Sequence, residues 1–288
     1  MKLLEKTAED RYQSAFGVKL DLEKCQEYLA NKQNMTDLQF ELGQKDFSGD
    51  FQIPKKLYGR ETEINTLLKA FDRVSSGKVE MMLVAGYSGV GKTALVYEVH
   101  KPMTEKQGYF ISGKFDQFKQ NIPYFAFTRA FNELCQYLLT ESTRKLNHWR
   151  KQILEAVGNN GQVLIDIIPK LELLLGKQQA VAQVGAEEEQ HRIKLVFQNF
   201  LRVICHQKHP LVLFIDDLQW ADSASLNLLK ALMGDASFQY FLFIGAYRDN
   251  EVDKSHPLVL TVNELRRTEA IINFIEISNL LPNDLNLL

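Results

Sequence analysis

Two features of the sequence predict an α/β fold built on a parallel sheet. Short apolar runs recur at 79–86, 108–116, 210–217, 240–247 and 270–278. Segments with helical spacing of apolar residues separate them. Apolar strands of six to eight residues alternating with helices argue for a parallel sheet covered on both faces.

The elements follow in order. Residues 1–35 read as helical, with Leu20, Leu22, Cys25, Tyr28 and Leu29 on an irregular apolar stripe. Residues 36–56 read as a linker, since "DFSGDFQIPKK" mixes Gly, Pro and charge. In 57–74 a helix begins, with Ile64, Leu67, Leu68 and Phe71 at helical spacing. "VEMMLVAG" (79–86) is a buried strand, and the helix after it is expected from Lys92 to Lys101, stopped by Pro102. "GYFISGKFD" (108–116) is the second strand. Amphipathic helices fit 124–140 and 143–157, and a long helix fits 187–207. Between them, 158–185 is less regular and carries Gly158, Gly161, Pro169, Gly176 and Gly185. "PLVLFIDD" (210–217) is a strand, followed by a helix at 223–233, a strand at 240–247, a helix at 257–267 and a strand at 270–278. The span 113–210 reads as a mainly helical insertion between the second and third strands.

Composition narrows the class. The chain has 288 residues and a formal net charge of −2, with 34 Lys and Arg against 36 Asp and Glu. That balance argues against a generic nucleic-acid surface. No apolar run is long enough to span a bilayer, and "MKLLEKTAEDRYQ" lacks the apolar region of a secretory signal. Cys25, Cys135 and Cys205 are scattered and form no CxxC, which predicts reduced thiols and a cytoplasmic location.

"GYSGVGKT" (86–93) carries the chemistry. It satisfies G-x-x-x-x-G-K-[ST] between an expected strand and an expected helix. Gly86, Gly89 and Gly91 permit torsions that let the loop turn its N–H groups around phosphate oxygens. The binding set is Gly86, Ser88, Gly89, Val90, Gly91, Lys92, Thr93 and Ala94. Lys92 supplies positive charge to the β- and γ-phosphates, and Thr93 offers a hydroxyl to Mg²⁺. The positive end of the following helix adds to the attraction.

A metal held at such a loop needs a carboxylate. Asp216 and Asp217 end the apolar run 210–217, and ligands of open α/β sheets gather at the carboxyl ends of strands. Asp216 is the candidate metal-site carboxylate, holding Mg²⁺ through water, and Asp217 the candidate general base for water. As strand neighbours they are expected to point to different sides. A helix-capping role fits Asp222 better than either. Arg248 follows the next apolar run at the same edge. There it can meet a γ-phosphate or pair with Asp249 or Glu251, and spacing alone does not choose.

Other signals fail. "DFSG" (46–49) is not D-F-G, and no H-R-D or V-A-I-K occurs, so protein-kinase catalytic parts are missing. The glycines at 86–91 do not follow the dinucleotide order. His206 and His209 lack a third ligand and read as a solvated pair at a helix end. The Phe and Leu stripe at 125–139 reads as core.

"LYGRETEI", "GYSGVGKT", "FIDDLQWADSAS" and "GAYRDNEV", in this order, resemble an AAA-type ATPase module of the STAND class of signal-transduction ATPases. "YFISGKFDQFKQNIPY" and "VFQNFLRV" resemble the version found in large bacterial, notably cyanobacterial, hybrid kinases. Those join a serine/threonine kinase, this module, a GAF domain and a histidine kinase. "LLEKTAEDRYQSA" resembles the end of a kinase C-lobe, with Arg11 as its closing arginine. The resemblance implies a P-loop NTPase sheet in the order 5-1-4-3-2, with ATP and Mg²⁺ as cofactors. It implies Arg60 beside adenine and ribose, Lys92, Thr93 and Asp216 as phosphate and Mg²⁺ ligands, Asp217 as the second acid and Arg248 as a sensor. On this resemblance the chain is a fragment, from 57 to 288 an ATPase domain stopped before its lid and winged helix. The function implied is a slowly hydrolysing regulatory switch acting on kinase, GAF and histidine kinase domains, without nucleic acid or membrane. A nucleotide-binding module without turnover and an interaction scaffold remain alternatives.

Overall fold

A computed structural model describes residues 2–4, 11–12, 15–30, 42, 57, 59–100, 102 and 108–279. The expected linker at 36–56 lies outside these residues, Leu42 excepted. The chain divides into two compact units, 1–56 and 57–287. In the first, helix α1 spans Ala15–Ala30, and its buried Asp21 accepts a hydrogen bond from Tyr12 at 2.6 Å. Leu22, expected on the apolar stripe of this helix, is exposed.

The second unit is organised by five parallel strands: β1 (Val79–Gly86), β2 (Tyr109–Lys114), β3 (Leu211–Asp216), β4 (Phe241–Tyr247) and β5 (Ile271–Ile277). Their spatial order is β2-β3-β4-β1-β5, the expected order read from the other edge. β1, β3 and β4 are buried nearly throughout because both sheet faces are covered. Alternate residues feed two cores. Met82, Val84, Val212, Phe214, Leu242 and Ile244 face one side, with α2 (Glu61–Ser75) and α3 (Lys92–Tyr97). Met81, Leu83, Leu211, Leu213, Phe241 and Phe243 face the other.

That second face is closed by the helices between β2 and β3. These are α4 (Phe125–Leu139), α5 (Thr143–Val157), α6 (Gly161–Ile167), α7 (Leu171–Leu175) and α8 (Ala186–Ile204). Their centre is aromatic: Phe131 meets Phe197 and Phe200 edge-on at 5.6 and 6.0 Å. The expected Phe and Leu stripe of α4 is therefore core. Helices α9 (Ser223–Met233) and α10 (Pro257–Leu265) complete the unit.

Several boundaries depart from the sequence expectation. α3 ends at Tyr97 rather than Lys101, where the amides of Glu98 and Val99 tighten to i−3 carbonyls before helical backbone resumes at His100; Tyr97 packs on Phe110 at 5.5 Å. α8 stops at Ile204 rather than Gln207. Cys205 turns extended, and His206 and His209 pair as a small antiparallel bridge. The two histidines thus belong to a tight turn packed on Trp149, at 6.0 Å from each ring. The less regular stretch holds α6 and α7, too short to show a clear apolar period.

Two local devices place the functional edge. β2 is an edge strand, and Glu133 of α4 caps its outer side by accepting from Ser112 N at 2.9 Å. Gly113 lets α4 approach the strand so closely that a Cβ there would lie 2.1 Å from the Ala126 carbonyl oxygen.

Candidate functional site

The carboxyl ends of β1, β2, β3 and β4 enclose a cleft of about 220 Å³. Ser88, Gly89, Gly91, Lys92, Thr93 and Ala94 line it from the loop after β1. Asp216, Asp217 and Arg248 line it from β3 and β4, and Lys114 from β2. Residues as distant in sequence as Thr93 and Arg248 meet here because every strand of the sheet runs the same way.

The loop is shaped by glycine. Gly86, Gly89 and Gly91 have φ of 154°, 79° and 101°, and Gly91 caps α3 in the left-handed region. Lys92 is buried and folds back on the loop, donating to the carbonyls of Gly86 at 2.7 Å and Tyr87 at 2.8 Å. Burial lowers its pKa, and Asp216 and Asp217 oppose that shift. Thr93 Oγ1 donates to Asp216 Oδ2 at 3.2 Å. A hydroxyl and a carboxylate in contact are hard oxygen donors of the kind Mg²⁺ takes. With the glycine-built loop beside them, these residues fit a Mg²⁺-bound polyphosphate.

Asp217 departs from the expected geometry. Its backbone is left-handed (φ 51°, ψ 45°) where β3 breaks into the turn Leu218–Trp220. This breaks the strand alternation that was expected to send Asp216 and Asp217 to different sides. Both reach the same ammonium: Lys114 Nζ lies 2.8 Å from Asp217 Oδ2 and 3.4 Å from Asp216 Oδ2. The bond to Asp217 raises the pKa of Lys114, against the opposing effect of burial. A non-glycine residue with positive φ at the end of a sheet strand is a form of local strain often found at functional sites.

Arg248 lines the cleft and is paired with Glu251, one of the two partners its spacing offered. Nη1 donates to Glu251 at 2.7 Å, while Nε lies 3.6 Å from Asp217 Oδ1 and the guanidinium sits 5.0 Å over the Trp220 ring. The Glu251 bond raises its pKa further. Asp222 does cap α9, accepting from Ser225 N at 2.8 Å.

Three expected residues do not line the cleft. Gly86 lies behind the loop, where a Cβ would sit 2.5 Å from the Ile277 carbonyl oxygen, and Val90 packs on the core beneath. Arg60 is buried, donates to the Ser278 carbonyl and lies 3.6 Å from Glu63. Two further residues at these strand ends belong to no sequence motif. Lys114 is the last residue of β2, a charged residue at a strand's carboxyl end as Asp216 is of β3. Gln219 is buried and bridges two strand ends, accepting from Arg248 N at 3.3 Å and donating to Asp217 Oδ1 at 3.2 Å.

Elsewhere, Cys135 and Cys205 are free and buried, and burial pushes Cys135 up to about 12. Among the described residues no cluster of His, Cys, Asp and Glu has the makings of a separate metal site. No described helix is long and apolar enough to cross a membrane.

The chain is 39% identical over 252 residues to hybrid signal transduction histidine kinase G of Dictyostelium discoideum, covering 81% of this chain and 7% of that protein. It is 23% identical over 265 residues to histidine protein kinase 1 of Candida albicans, covering 80% of this chain and 11% of that protein. The chain therefore spans only a small part of these curated relatives. Among solved structures, Cdc6p from Pyrobaculum aerophilum matches with a TM-score of 0.44 and 14% identity over 80% of this chain and 48% of that one. Residues 56–244 match the model of the AAA ATPase domain, and the chain belongs to that family.

Proposed function

We propose that this chain is an ATP-binding regulatory module of the STAND type that hydrolyses ATP slowly within a signalling kinase. One observation carries the reading: Lys92, Thr93, Asp216, Asp217 and Arg248 line a single cleft beside a glycine-built loop. Membership of the AAA ATPase family and likeness to histidine kinases support it.

In this reading the loop amides, Ser88 and Lys92 hold the phosphates. Thr93 and Asp216 hold Mg²⁺, which neutralises phosphate charge when bound. Asp217 orients water and accepts its proton, and Arg248 leaves Glu251 to meet the γ-phosphate. Arg60 acts on the adenine side through the Ser278 backbone it holds. Exchange of the γ-phosphate contacts then shifts attached serine/threonine kinase, GAF or histidine kinase domains. The module works in the cytoplasm, and its N-terminal unit descends from a kinase C-lobe.

Mg²⁺-dependent ATP binding that Lys92→Ala abolishes is the expected result of equilibrium titration. Binding unaffected by that substitution sinks the reading. A second reading, binding without turnover, is favoured by the state of Asp217, whose two oxygens are engaged by Gln219 and Lys114. Phosphate release separates the two. Turnover lost in Asp217→Asn supports hydrolysis, and equal background release with ATP still bound supports the second reading.

A further inference from the structure

Lys114 is bound to both acids of the cleft, yet the phosphate loop and the acidic pair account for ATP and Mg²⁺ without it. Its place is dictated by the fold. The parallel pairing of β2 and β3 puts Lys114 directly beside Asp216. Gly113 presses the end of β2 against the start of α4 and leaves it no room to drift. The lysine side chain is 56% exposed and reaches the carboxylates from the solvent edge, so it can withdraw without disturbing the core.

The contacts overlap with those of a metal. Asp216 Oδ2 accepts from Thr93 Oγ1 at 3.2 Å and faces Lys114 Nζ at 3.4 Å. A divalent cation held by Thr93 and Asp216, directly or through water, would draw on that same side of the carboxylate, since Oδ1 accepts from the Asp217 N–H at 2.9 Å. An ammonium and a divalent cation cannot both sit there without strong like-charge repulsion.

We propose that Lys114 is a built-in counter-cation of the metal site, holding Asp216 and Asp217 until a divalent cation arrives together with a nucleotide. A bare cation must displace the ammonium and leave it without a partner. A cation carried by a triphosphate brings anionic oxygens into the cleft that Lys114 already lines, so the displaced ammonium is received at once. Metal entry thereby becomes dependent on nucleotide. This inference rests on the Mg·ATP reading above.

The test is Mn²⁺ binding followed by electron paramagnetic resonance, with and without a non-hydrolysable ATP analogue. The proteins are the full chain and its Lys114→Met, Lys114→Arg and Lys114→Met/Asp216→Asn variants, each checked for an unchanged thermal melt. Without nucleotide, Lys114→Met is expected to bind Mn²⁺ about tenfold more tightly than wild type. Lys114→Arg should restore the wild-type affinity, and Asp216→Asn should remove the gain. With the analogue present, the advantage of Lys114→Met should vanish. Equal affinities of all proteins without nucleotide, alongside Mn²⁺ uptake with the analogue, overturn the role of Lys114 and leave ATP binding standing. A gain that survives Asp216→Asn also overturns it. No Mn²⁺ uptake in any protein, even with the analogue, overturns the Mg·ATP reading itself.

Discussion

Gln219 holds Asp217 by a 3.2 Å hydrogen bond from Nε2 to Oδ1, and its own Oε1 accepts the backbone N–H of Arg248. One buried amide thus ties the ends of β3 and β4 and aims the candidate base. It does so where the backbone of Asp217 is left-handed and the strand no longer orients the side chain.

Gln219→Ala should therefore separate binding from chemistry. The phosphate loop is untouched, so ATP affinity should stay within about twofold, while phosphate release should fall about tenfold, as for other residues that orient a reacting group. Paired measurements of Kd and turnover check this. A matching loss in both would mean that Gln219 only supports the fold.

Glu80 is fully buried in β1 and is held by Arg73 at 2.5 and 2.7 Å and by Asn273 Nδ2 at 2.9 Å. Removing the arginine strands a buried carboxylate. Because Arg73 is itself about half exposed, Arg73→Met should cost about 2 kcal/mol, below the usual range for a fully buried pair. Adding Glu80→Leu should recover most of the loss. Denaturant midpoints with unchanged slope are the measurement.

Gly113→Ala should destabilise by about 1–3 kcal/mol, because the added methyl meets the Ala126 carbonyl and α4 must move off β2. Gly89→Ala meets no neighbour, but strains a backbone at φ 79°. It should weaken ATP binding more than it lowers the melting temperature. Thermal melts of both variants, with an ATP titration of the second, make the contrast.

His206 has its pKa lowered from 6.5 by burial and by the nearby His209 and Lys208. Its ring packs on Trp149, and its Nδ1 accepts from the Lys208 amide. The folded state therefore binds a proton less readily than the unfolded chain. Its full contribution is present above about pH 6.5 and declines as pH falls toward the folded value. His206→Gln should flatten the pH dependence of stability in that window, measured as melting temperature across pH 5 to 8.

β3 and β4 were legible because burial on both faces leaves an unbroken apolar run, whereas the edge strands β2 and β5 are partly exposed and interrupted by polar residues. The loop at 86–93 was legible because phosphate chemistry demands fixed residue types at fixed spacing. Helix ends were less so. Nothing local to Tyr97 or Ile204 announces that an aromatic cluster or a histidine bridge will end the helix there. Gln219 and Lys114 escaped for a related reason, since each is defined by its partners. Lys114 lies 102 positions from Asp216 and 103 from Asp217, and no spacing rule joins them.

By itself, the sequence determined the parallel α/β architecture and the chemistry of the phosphate loop. Both depend on which residue types follow one another along the chain. Only the tertiary structure decided how that loop is served. The order of the strands brings Lys114 beside Asp216, the left-handed turn at Asp217 directs both acids to one ammonium, and Gln219 ties Asp217 to Arg248. These relations arise from strand register and close packing between distant segments, and a one-dimensional pattern carries no trace of them.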